Sequence, residues 1–179
     1  MLDPVFSIFR SVGKKFDMGK SSLFTSFYRV IRALNAIAGD VIKWPDTNRR
    51  KVIENDFRQL GRIKGVVGAV DGTYVPIKAP REFPNVYINR KCFHGITLQA
   101  ICDNGLKFTN CFAGFPSSVS DTRIFQKSSI YSKLSTLSDQ YLSSGQFVIG
   151  DKAYPTNKFC IAPYIERLNI TLREKSFNK

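Results

Sequence analysis

The sequence predicts an α/β domain built on a mixed sheet and preceded by a small all-α module. Three observations carry this. Apolar residues recur at helical spacing through residues 5–37. From residue 65 the pattern changes to short runs rich in β-branched and aromatic residues. Those runs come in the order strand, antiparallel hairpin, helix, strand. With 43% hydrophobic and 23% charged residues, the chain has enough apolar material to offset the entropy of ordering itself, which sets disorder aside.

In the first module, Val5, Phe6, Ile8, Phe9 and Val12 mark one helix, interrupted by the polar stretch 13–15. Asp17-Met18-Gly19 is a turn signal. Ser21 or Ser22 can cap the next helix by accepting a backbone N–H. Leu23, Phe24, Phe27, Val30, Ile31, Leu34 and Ile37 form its apolar stripe, and Gly39 followed by Pro45 is expected to end it. Helix, short turn and basic helix outline a helix-turn-helix over residues 1–45, with Lys20, Ser21, Ser22, Thr25, Arg29 and Arg32 offered to DNA. An ordinary two-helix hairpin has the same outline. Residues 46–64 read as a helical linker, with a helix from about Arg49 to Leu60 ended by Gly61.

Residues 65–179 are the second module. Its strands are 66–77, 95–103, 107–114 and 146–150. Asp103-Asn104-Gly105 supplies the hairpin turn. A helix is expected to start at Ser120 or Asp121 and to run towards Leu134, and the segment beyond Pro155 reads as a looser tail. This order matches the opening of an RNase H-like fold, and of other mixed folds too.

The 27 Lys and Arg outnumber the 14 Asp and Glu, giving a net charge of +13. A positive field of this kind suits a polyanion, with nucleic acid foremost. The basic residues are spread along the chain rather than gathered on one amphipathic helix, which disfavours a membrane surface. No apolar run is long enough to span a bilayer, and the N-terminus lacks the apolar core of a secretory signal. Cys92, Cys102, Cys111 and Cys160 form no C-x-x-C pair and His94 is the single histidine, so a structural zinc site is not expected. Reduced thiols in an intracellular compartment are the simple expectation.

Two aspartates interrupt apolar strands. Asp71 lies within VVGAVDGTYVPI, and Asp151 follows FVIG directly. A carboxylate in such a position is costly unless it is hydrogen-bonded, paired or bound to a metal. Two carboxylates at the ends of two central strands can converge on one side of a sheet, as an Mg²⁺ or Mn²⁺ site needs. In a two-metal site, ions about 3.5–4 Å apart serve the attacking and leaving oxygens of a phosphodiester. Each residue also has a purely structural reading: a bulge at Asp71, and an Asx-turn into Ala153-Tyr154-Pro155 at Asp151. Asp121, in FPSSVSDTRIF, is either a helix cap or a further ligand. Asn89, Arg90 and Lys91 form a basic loop suited to DNA phosphate or simply to solvent.

Four segments together resemble a known family: GVVGAVDGTYVPIKAP (65–80), YINRKCFHGITLQAICD (87–103), FAGFPSSVSDTRIFQKSSIY (112–131) and FVIGDKAYP (147–155). They resemble, in order, the DDE superfamily-4 endonuclease domain of PIF/Harbinger transposases and the nucleases derived from them. The region 5–45 resembles the helix-turn-helix preceding that domain. The resemblance implies an RNase H-like fold with a D-D-E site for Mg²⁺ or Mn²⁺ and DNA as substrate. It also implies a nuclear location and a Myb/SANT-like protein partner; the sequence leaves a homo-oligomer open. Asp71 matches the first catalytic aspartate and Asp151 the second. Asp121 matches an acidic position of the P-x-S-x-x-D motif. DKAYP departs from the family's usual small residue and Gly before Tyr, and Ser120 stands where His is common. The family's glutamate, in a V-E-x-x-F helix, lies farther beyond the second aspartate than the 28 residues that follow Asp151 here. Glu166 and Glu174 lack the pattern. The expectation is therefore an incomplete RNase H-like sheet without its third carboxylate, inactive as it stands. A DNA- or protein-binding module that does not cut is the alternative.

Overall fold

The computed structural model describes residues 4–164 and residue 171, with side chains from Ile8 onward. The chain divides into two compact units, Met1–Ile42 and Lys43–Lys179.

The first unit is a pair of helices, α1 (Pro4–Lys15) and α2 (Lys20–Val41). α1 continues through 13–15 rather than breaking there. Gly13 serves the turn instead: a Cβ on it would lie 2.8 Å from the Met18 carbonyl oxygen, and Met18 N–H donates to the Gly13 carbonyl at 2.8 Å. Phe9 packs on Phe24 and Phe27, with ring centroids 5.8 and 5.5 Å apart. Two expectations are corrected. Gly19, not a serine, holds the N-cap position of α2, and Ser21 and Ser22 lie inside its first turn. The helix also runs past Gly39 to Val41. A single glycine in a helix costs only about 1 kcal/mol, too little to stop one.

The second unit begins with α3 (Thr47–Gly61). Asp46 caps it by accepting from Arg49 N–H at 2.8 Å. Gly61 is still helical, and the left-handed residue that ends α3 is Arg62. α3 is built into this unit by polar bonds. Arg50, buried, donates to Gln146 Oε1, the Pro45 carbonyl and Thr47. Gln146 Nε2 donates to Glu54, whose other oxygen accepts from Gly65 N–H. Arg49 pairs with Asp103 at 2.8 Å.

A five-stranded sheet follows, in the order β3-β2-β1-β4-β5. The strands are β1 (Val66–Pro76), β2 (Gly95–Cys102), β3 (Phe108–Pro116), β4 (Phe147–Gly150) and β5 (Cys160–Ile161). β1, β2 and β3 pair antiparallel; β4 runs parallel to β1, and β5 parallel to β4. This is the mixed α/β sheet expected, consistent with part of an RNase H-like sheet. β5 was not foreseen, because two residues are too few to show a period. Asp103 closes the hairpin through its carboxylate, which accepts from Gly105 and Lys107 N–H. The left-handed residue of that turn is Leu106 rather than Gly105.

The helix expected from 121 to 134 is broken in two, α4 (Asp121–Lys127) and α5 (Ser129–Thr136), followed by the short α6 (Ser138–Tyr141). Ser128 makes the break. Its hydroxyl donates to the Phe125 carbonyl and accepts from Tyr131 N–H, ending one helix and capping the next. α4 and α5 bring Phe125, Ile130 and Leu134 onto Val67, Val70, Ile101 and Val148 of the sheet, with Tyr154, Phe159 and Cys160 completing the core. Each of these large apolar side chains contributes about 1.5–3 kcal/mol when fully buried. Among the described residues, no helix is long and apolar enough to cross a membrane.

Candidate active site

The sheet's topology places the carboxylates. β4 ends at Gly150, whose partner on β1 is Val70. Asp71 is therefore the first β1 residue without a β4 neighbour, and Asp151 the first residue beyond β4. Parallel neighbours lie about 4.8 Å apart, so the two aspartates emerge side by side at the carboxyl ends of the parallel strands. Open α/β sheets bind ligands at such ends. Asp71 Oδ1 accepts from Gly72 N–H at 2.7 Å, and Asp151 Oδ1 accepts from Ala153 N–H at 2.9 Å. The second bond is the Asx-turn that the sequence allowed, so Asp151 has a local structural bond as well as its place in the cluster.

Asp121 arrives from α4. It is not the cap: Ser120 holds that position without a side-chain bond, and Asp121 is the first helical residue. Its carboxylate fills the space that a side chain at Gly72 would take, since a Cβ there would lie 2.5 Å from Asp121 Oδ1 and 3.3 Å from its Cγ. The hydroxyl of Thr122 donates to the Ala153 carbonyl, tying the start of α4 to the turn after Asp151.

The electrostatics agree with this convergence. The carboxyl of Asp121 is held above the ordinary Asp range by its burial, then by the charges of Asp151 and Asp71, with Arg90 opposing. The Tyr154 phenol is pushed well up by burial and by the same three carboxylates. Arg90 thus belongs to the site's surroundings. It is exposed on a loop bent by Asn89, whose Oδ1 accepts from Lys91 N–H, and held by Ser117 and Ser118 donating to the Tyr87 and Val86 carbonyls.

The donor set consists of hard oxygen ligands, with neither histidine nor thiolate among them, which suits Mg²⁺ or Mn²⁺. Among the described residues, no three His, Cys, Asp or Glu side chains are gathered closely enough to hold a metal ion. Asp71 and Asp151 are near enough for their charges to raise the proton affinity of Asp121. The three carboxylates therefore suit a divalent cation in donor chemistry. Glu166 and Glu174 lie outside the described residues. Lys20, Arg29 and Arg32 lie exposed on α2 in the other unit.

Residues 70–179 match the model of the DDE superfamily endonuclease family. The chain belongs to this family. The match spans all three aspartates. Among curated relatives, the protein Antagonist of Like Heterochromatin Protein 1 of Arabidopsis thaliana is 24% identical over 164 residues, 86% of this chain and 41% of that one. The candidate nuclease HARBI1 of Rattus norvegicus is 26% identical over 153 residues, 85% of this chain and 43% of its own. The chain spans less than half the length of these relatives. No solved structure matches it. The resemblance read from the four motifs is thus supported by the family match and by Harbinger-derived relatives.

The sequence reading missed Tyr154 and Thr122 as parts of the site. Tyr154 was seen only as a turn residue, and Thr122 carries no pattern of its own. Gly72 was the one available signal, as a glycine next to a strand aspartate that permits close approach.

Proposed function

We propose that the second unit is the phosphodiester-cleaving core of a Harbinger-type, transposase-derived nuclease, with Asp71, Asp121 and Asp151 as its metal-holding residues. The observation that supports this is that Asp71 and Asp151 leave adjacent parallel strands side by side, with Asp121 close enough for both of their charges to act on its carboxyl. A bound Mg²⁺ or Mn²⁺ pair supplies Lewis-acid activation of water and charge neutralisation at the phosphate. The chain's own part is to present the carboxylates together, with Asp121 anchored through Thr122 and Arg90 in range of an incoming phosphate. Arg90 and Lys91, both exposed, contact the DNA backbone beside the site, while Asn89, which the sequence also offered, is buried and shapes their loop. Lys20, Arg29 and Arg32 on α2 contact DNA from the other unit as a helix-turn-helix. The reading extends to a nuclear setting and a Myb/SANT-like partner, on family resemblance alone.

A second reading is a DNA- or protein-binding module that does not cut. It is favoured by Asp71 and Asp151 each spending an oxygen on a backbone N–H, and by a relative whose name describes an antagonist rather than a nuclease. A supercoiled-plasmid nicking assay with Mg²⁺ or Mn²⁺, run on this chain and on a version that also carries the family's V-E-x-x-F helix, decides between them. Nicking that Asp71→Ala and Asp151→Ala each abolish supports the nuclease. Salt-dependent DNA binding without nicking, unchanged by either substitution, supports the binding module.

A further inference from the structure

β2 carries an anomaly on its buried face. Gly95, Thr97, Gln99 and Ile101 alternate inward, and an apolar residue is the expected occupant of such positions. Gln99 is 1% exposed and neither end of its amide has a partner; Thr97 is fully buried with its hydroxyl equally unpaired. Unpaired buried polar groups are rare in native folds, and a residue of similar shape without them packs at no such cost. Their location accounts for them. Gln99 is the residue directly opposite Gly72 across the β1–β2 pair. Directly opposed Cβ positions lie about 4.5–5.5 Å apart, and Asp121 Oδ1 lies 2.5 Å from the Cβ position of Gly72, with Thr97 Cγ2 3.5 Å from the same point. The missing side chain at Gly72 thus leaves room for the Asp121 carboxylate on the same face as Gln99, beside the strand position that Gln99 faces.

We propose that Gln99 is a positioning residue for Asp121, its amide N–H donating to the Asp121 carboxylate and holding it against Asp71 and Asp151 when a divalent cation binds, with the Thr97 hydroxyl backing the amide. This rests on the reading of the three aspartates as metal-holding residues. The pairing would explain why β2 keeps an amide where leucine or methionine would pack better: the donor is held in reserve for a ligand. Residues that orient metal-binding side chains are worth about 10–100-fold in metal affinity.

The test is Mn²⁺ binding by the full chain, followed by loss of the free-ion EPR signal, with thermal melting in EDTA alongside. Gln99→Met keeps the volume and removes the donor, and Gln99→Leu is a second apolar variant. Either should melt no lower than the unsubstituted chain without metal, yet bind Mn²⁺ about tenfold more weakly or worse. Added to Asp121→Asn, the Gln99 substitution should cost nothing further, because the residue acts through that carboxylate. A merely structural glutamine would not produce this non-additivity. If Asp71→Ala weakens Mn²⁺ binding while both Gln99 variants bind normally, the positioning role is wrong and the aspartate site stands. Loss of affinity that simply adds to that of Asp121→Asn also overturns the positioning role. If the unsubstituted chain binds no Mn²⁺, the metal reading itself falls, and this proposal with it.

Discussion

Gly72→Ala is the sharpest single perturbation of the site. Gly72 does not have a positive φ, so alanine meets no backbone strain, and the effect comes from one methyl group. That methyl would lie 2.5 Å from Asp121 Oδ1. An ordinary carbon–oxygen contact is about 3.3 Å or more, so the carboxylate oxygen must retreat by about 0.8 Å. As the far end of a side chain it can do so cheaply, and we expect the metal-free protein to lose about 1 kcal/mol or less, the low end of overpacking costs. Metal–ligand distances hold only to within about 0.2 Å, so the same retreat removes Asp121 from a shared shell. A tenfold weaker affinity lowers metal-induced stabilisation by about 1.4 kcal/mol at saturating metal. Thermal melting in EDTA and across an Mn²⁺ series reads both quantities. A variant that melts normally in EDTA but gains much less from Mn²⁺ supports the close approach of Asp121 to β1. Full Mn²⁺ stabilisation in Gly72→Ala would refute the reasoning, because Asp121 would then not need the space that the glycine leaves.

Three further outcomes follow from the geometry. Asp103→Ala should cost about 2 kcal/mol, mainly through the lost acceptors for Gly105 and Lys107; Arg49→Ala should cost less than about 1 kcal/mol, because Arg49 is 45% exposed where Asp103 is 3%. Burial raises the Asp103 carboxyl, but bonds from Arg49, Lys107 and Gly105 outweigh it and hold it below the ordinary range. Its contribution is therefore full above an unfolded value of about 3.9 and is lost as pH falls through the lowered native value, a loss that acid titration of stability should show and Asp103→Ala should remove. Asp121→Asn should raise the melting temperature at neutral pH without metal, since the fold favours the protonated acid and the ionised form is a net burden once pH exceeds its raised native value; the gain should vanish below about pH 4. Gln146→Leu takes one of three acceptors from buried Arg50 and one of two donors from half-buried Glu54, and should cost about 1–2 kcal/mol in chemical denaturation.

Much of this was legible without coordinates, for a local reason in each case. Helical stripes on residues 5–37, β-rich runs at 66–77 and 95–103, the Asp-Asn-Gly turn and an aspartate after FVIG are all patterns within a few residues, and the chain folds them nearly as read. The failures are local rules overridden by neighbours. Ser21 and Ser22 are good caps, yet the turn built on Gly13 and Met18 starts α2 at Lys20. Ser128 splits an apparently continuous helix because its hydroxyl can bond in both directions. Asp121 looked like a cap and instead sits one residue inside the helix.

The sequence alone singled out Asp71 and Asp151 as candidates, because an aspartate within or just after an apolar strand is conspicuous wherever it lies. Only the tertiary structure brought Asp121 within reach of the charges of the other two. Asp71 and Asp151 are eighty residues apart in the chain and become neighbours through parallel pairing, whose register no local pattern encodes. Asp121 joins them because α4 packs across the face where Gly72 has no side chain. The same packing places the unpaired amide of Gln99 near that carboxylate, a relation that exists only once three separate segments share one sheet face.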